Sequence, residues 1–239
     1  DDFSLIKTTK DYPHPELIID EPTLRVVYTP SRYFASEPKA DVSVVLRNPK
    51  AMNSAKNQVM FALNDYLAGI ALDQLSNQAA VGGISFSTNA NNGLMLNANG
   101  YTQLFKALLE GYFSYTPTEE QLEQAKSWYA QMMDSAEKGK AYDQALMPAQ
   151  MLSQIPYFQR EERRALLPSI SLKEVLAYRD SLKTNTRPEF LIVGNMSEDQ
   201  AKTLAENVRT QLGSKGDEWC RNQDVLVEKK QNVIFEKAG

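Results

Sequence analysis

Residues 54–78 read SAKNQVMFALNDYLAGIALDQLSNQ, and Val59, Leu63, Leu67, Ile70 and Leu75 recur within them at intervals of three to five residues. That spacing is the stripe of a helix with one buried face. Gly82-Gly83 comes next, and glycine readily supplies the backbone angles that end a helix. Beyond it, Ile84-Ser-Phe-Ser-Thr88 and Leu94-Met-Leu-Asn-Ala98 flank Asn91-Asn92-Gly93. Asn and Gly tolerate positive φ in a tight turn, so this segment predicts a β-hairpin. On the N-terminal side, Leu24–Tyr28 and Asp41–Arg47 are rich in β-branched residues and separated by Pro30 and Pro38. They predict two strands joined by a loop, most simply an antiparallel pair.

The rest of the chain is mainly helical. Leu104, Phe105, Leu108, Leu109 and Phe113 recur at helical spacing between Tyr101 and Tyr115, and Thr118 with Gln121 opens a further helix to about Lys138. Pro148 and Pro156 break the helical region into shorter pieces, and Ser171 with Glu174 then caps a helix to about Lys183. Glu189–Gly194 predicts a buried strand, and Ser197 with Gln200 starts a helix that Gly213 ends. Strands, a hairpin and several long helices in this order imply an α+β fold, a largely antiparallel sheet packed against several helices. Residues 1–23, with Pro13, Pro15 and Pro22, predict a connecting arm; 24–213 form the α+β domain. Residues 214–239 read as a linker and, at Asn232-Val-Ile-Phe235, the first strand of a following domain that is missing. The opening Asp1-Asp2 and the lack of an initiator methionine imply a processed or excised chain.

Composition narrows the function. The 239 residues are 42% hydrophobic and 23% charged, suited to one large globular domain or two small ones. A net charge of −4 with both signs scattered gives nucleic acid and anionic membranes no patch to bind. The most apolar stretch, Val59–Leu75, is interrupted by Asn64, Asp65 and Asp73, so no membrane insertion is expected. Cys220 is the single cysteine, which forbids an internal disulfide and leaves the redox compartment open.

The residues offer little catalytic machinery. Zinc hydrolases commonly use two histidines among three protein ligands, and His14, in the proline-bracketed arm, is the only histidine. Neither H-E-x-x-H nor its inverse can occur. A Ser-His-Asp site lacks its base for the same reason. Gly83-Ile-Ser-Phe-Ser87 misses the last glycine of a nucleophile elbow and sits in a strand. Cys220 has only Arg221 as a cationic neighbour and reads as structurally incidental. Gly213-Ser-Lys-Gly216 lacks the context of a phosphate loop and reads as a helix-ending turn. Arg160, Arg163 and Arg164 with Glu161 and Glu162 read as a solvated helix face, and Phe105, Phe113, Trp128 and Tyr129 as packing groups. A paired-carboxylate site stays open, since spacing nominates no pair. No catalytic or metal-binding residue is assigned, and the substrate-binding residues are unknown.

The succession Phe3-Ser-Leu-Ile, Ala55–Gln78, Gly82-Gly83-Ile-Ser-Phe, Asn91-Asn92-Gly93-Leu-Met-Leu, Gly100-Tyr-Thr-Gln-Leu and Leu191-Ile-Val-Gly-Asn-Met-Ser resembles the insulinase (pitrilysin) family of zinc metalloendopeptidases. Within that family it is similar to the third domain, in the C-terminal inactive half, across nearly the whole chain. The resemblance implies a metalloprotease-like α+β domain that is itself non-catalytic, forms part of a substrate-chamber wall and supports a catalytic N-terminal half. It places Met60-Phe-Ala-Leu-Asn64 where the inverted zinc motif would stand, and Tyr129–Gln131 near the downstream ligand, which offers no carboxylate there. It further implies one zinc ion in the catalytic domain of the parent and no cofactor in this chain. The implied partners are that N-terminal half, the adjacent C-terminal domain and small polypeptide substrates, in a periplasmic setting. The alternative is a stand-alone inactive scaffold or core subunit of the same fold.

Overall fold

The computed structural model describes residues 14–30, 39–48, 51–81, 85–90, 94–100, 102–138, 157–184 and 186–213. Three strands come first, β1 (Glu16–Glu21), β2 (Leu24–Pro30) and β3 (Ala40–Arg47). Helix α1 (Ala55–Val81) leads to β4 (Ser85–Ala90) and β5 (Leu94–Gly100). Next come α2 (Thr102–Ser114), α3 (Glu119–Glu137), α4 (Arg160–Leu166) with a 3₁₀ turn (Leu167–Ser169), and α5 (Leu172–Thr184). Strand β6 (Arg187–Gly194) and α6 (Glu198–Leu212) complete the described chain.

The six strands form one sheet in the order β1-β2-β6-β3-β5-β4. Every junction is antiparallel except β2–β6, which is parallel, so the largely antiparallel α+β expectation holds. The expected β2–β3 pair does not form. β6 lies between them, Val27 opposite Leu191 on one side and Ser43 opposite Leu191 on the other. Each side of β6 thereby gains a full ladder, which two neighbours in sequence could not supply to each other as well as to it. β4 and β5 pair antiparallel as the hairpin expectation requires, while its turn, Asn91-Asn92-Gly93, lies outside the described residues.

Strand alternation gives the sheet one buried face. Leu24, Val26, Tyr28, Val42, Val44, Leu46, Phe190 and Ile192 are all buried, whereas Arg25, Asp41 and Leu191 between them are exposed. The expectation that Glu189–Gly194 is a buried strand thus needs correction, since Leu191 retains 45% of its surface. Part of the expected connecting arm is also sheet. Glu16–Glu21 forms the edge strand β1, where Arg187 bonds Asp20 at 3.0 Å and Arg209 bonds Glu21 at 2.6 Å. Its charged residues Glu16, Asp20 and Glu21 suit an edge, where they discourage pairing with another chain.

Helix α1 is the centre of the helical layer, touching α2, α3, α4, α5 and β4. Val59, Phe61, Leu63, Leu67, Ala68 and Leu72 are buried along it, and each large aliphatic contributes about 1.5–3 kcal/mol by leaving water. The expected capping boxes form. Thr118 and Gln121 exchange side-chain and backbone bonds at 2.8 and 3.2 Å, as do Ser197 and Gln200. At the start of α5, the Ser171 N–H donates to the Glu174 carboxylate at 2.9 Å. Gly213 ends α6 with φ of 63°, a left-handed angle that a side chain would strain. Gly194 has φ of 129° and lies so close to the start of β3 that a Cβ would sit 2.7 Å from the Lys39 carbonyl oxygen. Among the described residues no helix is long and apolar enough to cross a membrane.

Pro148, Pro156, Cys220 and the strand expected at Asn232–Phe235 lie outside the described residues, as does Phe3-Ser-Leu-Ile.

Candidate functional site

The segment 60–64 of α1, where the resemblance would place a zinc motif, is packed and hydrogen-bonded. Met60 and Phe61 are buried, and Leu63 and Asn64 have no exposed surface. The Asn64 amide is used at both ends: its Nδ2 donates to the Tyr112 hydroxyl at 3.0 Å, and its Oδ1 accepts from the Tyr115 hydroxyl at 2.6 Å. Tyr112 in turn donates toward Asp65 at 3.4 Å. Burial pushes the ionisation of Tyr112 and Tyr115 well above the ordinary tyrosine range. Arg179 closes the cluster, its Nη1 donating to the Tyr115 carbonyl at 2.7 Å and its guanidinium lying 5.1 Å from the Tyr115 ring centre.

These residues do not fit zinc. Under the resemblance's placement, a thioether, an isobutyl group and a committed amide stand for two imidazoles and a carboxylate, and Asn64 cannot turn to a metal without leaving the Tyr115 hydroxyl unpaired and Tyr112 with Asp65 alone. The downstream position differs likewise: Tyr129 is buried, with its hydroxyl accepting from Arg163 Nη1 at 3.3 Å. Among the described residues no three His, Cys, Asp or Glu side chains gather as a metal site. His14 is exposed just before β1. Ser87 lies in the ladder of β4 opposite Asn97, in extended strand rather than at an elbow.

Two surface depressions flank α1. The first, about 400 Å³, includes Asn48, Lys56, Met60, Glu174 and Tyr178 in its lining. Lys56 bonds Glu174 there at 2.6 Å, and this contact with the Ser171 cap holds the Glu174 carboxyl down to about 2. The Tyr178 hydroxyl donates to the Ala51 carbonyl at 2.6 Å and fastens α5 to the turn before α1. The second, about 490 Å³, lies between α1 and α3, and Tyr66, Glu120, Glu123 and Trp128 are among its walls. Tyr66 and Trp128 stack with ring centres 4.8 Å apart.

Trp128 therefore packs as expected but at the surface rather than in the core, being 38% exposed, whereas Phe113 and Tyr129 are buried. The side chain of Phe105 lies outside the described residues. In α4, Glu161 and Glu162 face solvent, but Arg164 chelates Asp134 and Arg163 reaches Tyr129, so the basic side of that helix clamps α4 to α3. Sequence reasoning missed the Tyr66–Trp128 pair. The signal was available, because Leu122, Ala125, Tyr129 and Met133 mark the buried stripe of α3 and Trp128 precedes Tyr129 by about 100° of helix rotation.

Comparison with known proteins places this arrangement. Residues 1–165 match the family described as the middle or third domain of peptidase M16. The chain is 79% identical over 243 aligned positions to Protease 3 of Shigella flexneri, covering all of this chain and 25% of that protein. Identity to Protease 3 of Escherichia coli K12 is 78% with the same coverage. The insulin-degrading enzyme of Drosophila melanogaster is 24% identical over 222 positions, covering 88% of this chain and 22% of its own length. The crystal structure of pitrilysin superposes with a TM-score of 0.87 at 78% identity, over 92% of this chain and 24% of that one. The chain thus spans about a quarter of the length of these curated relatives. It belongs to the M16 (pitrilysin, or insulinase) peptidase family and carries the middle or third domain of that family.

Proposed function

We propose that this chain is a non-catalytic part of a zinc metalloendopeptidase that degrades small polypeptides. It forms part of the wall of the substrate chamber and supports a catalytic N-terminal half. The observation that carries this reading is Asn64: where the resemblance would put a metal ligand, the side chain is buried and both ends of its amide bind tyrosine hydroxyls. Similarity to Protease 3, and at lower identity to a putative zinc protease of Schizosaccharomyces pombe, supports zinc chemistry elsewhere in the parent. A wall of this kind acts by excluding oversized substrates and adding binding area, so its contribution is to positioning rather than bond making. The same reading makes the catalytic half and a C-terminal domain its covalent partners, the latter reached through residues 214–239, and gives the parent a periplasmic location.

The test is metal content and turnover. Purified chain should hold no stoichiometric zinc and cleave no fluorogenic peptide, while the full-length parent does both. One tightly held zinc per chain with peptide turnover would overturn the reading, and a full-length parent without peptidase activity would favour an inactive scaffold instead.

A further inference from the structure

We propose that the groove between α1 and α3 is a docking site for a positively charged side chain of a bound polypeptide. The inference rests on the peptidase reading above and names a substrate feature for a surface distinct from the Asn64 cluster. Three observations carry it. Trp128 is 38% exposed although it stacks on Tyr66 at 4.8 Å and 30°, so aromatic surface is held in a stack and still partly open to water. The depression beside it, about 490 Å³, is shallow and open, lined by α3 side chains together with Tyr66 of α1, and leaves room for a side chain lying along the surface. Its charged lining is acidic, Glu120 and Glu123, with Gln124, Ser127 and Gln131 as neutral hydrogen-bonding groups.

The chemistry selects the occupant. An aromatic face attracts a cation, and the aliphatic stem of Arg or Lys packs on the same ring while the head reaches a carboxylate. Lys126 engages one oxygen of Glu123 at 2.8 Å, yet the Glu123 side chain stays 69% exposed and can accept a second donor. Phosphates, nucleic acids and anionic lipids meet the wrong sign of charge here. A purely apolar partner would desolvate Glu120 without supplying a counter-charge and would cover a Glu123 that only Lys126 compensates.

The experiment uses the full-length peptidase and two peptides that differ only by Arg or citrulline at one position. Cleavage of the Arg peptide should show a KM lower by roughly three- to ten-fold than that of the citrulline peptide. Trp128→Ala and, separately, the exposed Glu120→Gln should collapse that ratio toward one, with kcat for the Arg peptide retained. An unchanged ratio in both variants overturns the proposal. So does protection of Trp128 from acrylamide quenching in the full-length protein, which would show the groove covered by a neighbouring domain or second copy. Should the parent lack turnover altogether, the peptidase reading fails, and the groove is still read directly. With the tryptophans as 5-fluorotryptophan, the ¹⁹F signal assigned to Trp128 by Trp128→Phe should shift saturably with the Arg peptide and not with its citrulline analogue. Absence of a shift overturns the groove independently.

Discussion

On α1, Asn64 has no exposed surface and both ends of its amide engaged, whereas Tyr66, two positions later, stacks on an indole that is 38% exposed. One region turns polar chemistry inward and satisfies it completely; the other leaves aromatic surface and carboxylates outside. The difference teaches that the face of α1 where the family resemblance looks for catalysis serves as structure here. The partly exposed aromatic surface lies about 160–200° around the same helix.

The largest effect expected from this contrast is on stability. Asn64→Leu fills the volume but leaves the Tyr112 and Tyr115 hydroxyls without their shared partner in a buried site, a loss of about 2–4 kcal/mol. Urea unfolding should show it as a lower midpoint at unchanged slope. A variant as stable as the parent sequence would break the comparison, because the cluster would then not be a structural substitute for a metal site.

Trp128→Ala should cost less, about 1 kcal/mol, since the indole is only partly buried and its removal leaves no polar group stranded. The same urea titration measures it. A loss as large as that of Asn64→Leu would mean that the groove is core, and the two regions would no longer differ in kind.

The smallest effect concerns Glu174 in the first depression. Its carboxyl is held down to about 2 by Lys56 and by the Ser171 backbone and hydroxyl, against an ordinary value of 4.5. A depressed carboxylate stabilises the fold above its unfolded value, and that contribution is lost as pH falls from about 4.5 toward 2. The pair is solvent-exposed, so the gain is modest. Glu174→Gln should therefore unfold slightly more easily than the unsubstituted protein at pH 7, and thermal melts should converge as pH approaches 2.

Much of the local structure was legible. Thr118 with Gln121, Ser197 with Gln200 and Gly213 carry their signals in a few adjacent residues, because caps and left-handed turns are short-range chemistry. The period of α1 was legible only in part: Val59, Leu63 and Leu67 are buried as their spacing requires, but Ile70, read into the same stripe, is 39% exposed and Leu72 is buried instead. Strand order was not, as β6 meets β2 and β3 across 140 residues or more and no local pattern encodes that choice. β1 was obscured by Pro15 and Pro22 at its flanks and by an apolar run of three residues, Leu17–Ile19, too short to stand out. At the site, a single histidine, His14, left too few imidazoles for the family's inverted zinc motif, which composition alone makes plain. The engagement of Asn64 by Tyr112 and Tyr115 depended on how α1 and α2 cross, and was visible only in space.

The late strand has a consequence for biosynthesis. As a ribosome releases this polypeptide from its N-terminus, β1–β2 and β3–β5–β4 emerge as two separate ribbons, each with an edge that only residues 187–194 can fill. Until that keystone leaves the exit tunnel, the nascent sheet stays in two pieces with unpaired edges on offer, which is when holdase chaperones have most to bind. A translational pause that falls only after residues 187–194 have cleared the tunnel would give the keystone time to slide home.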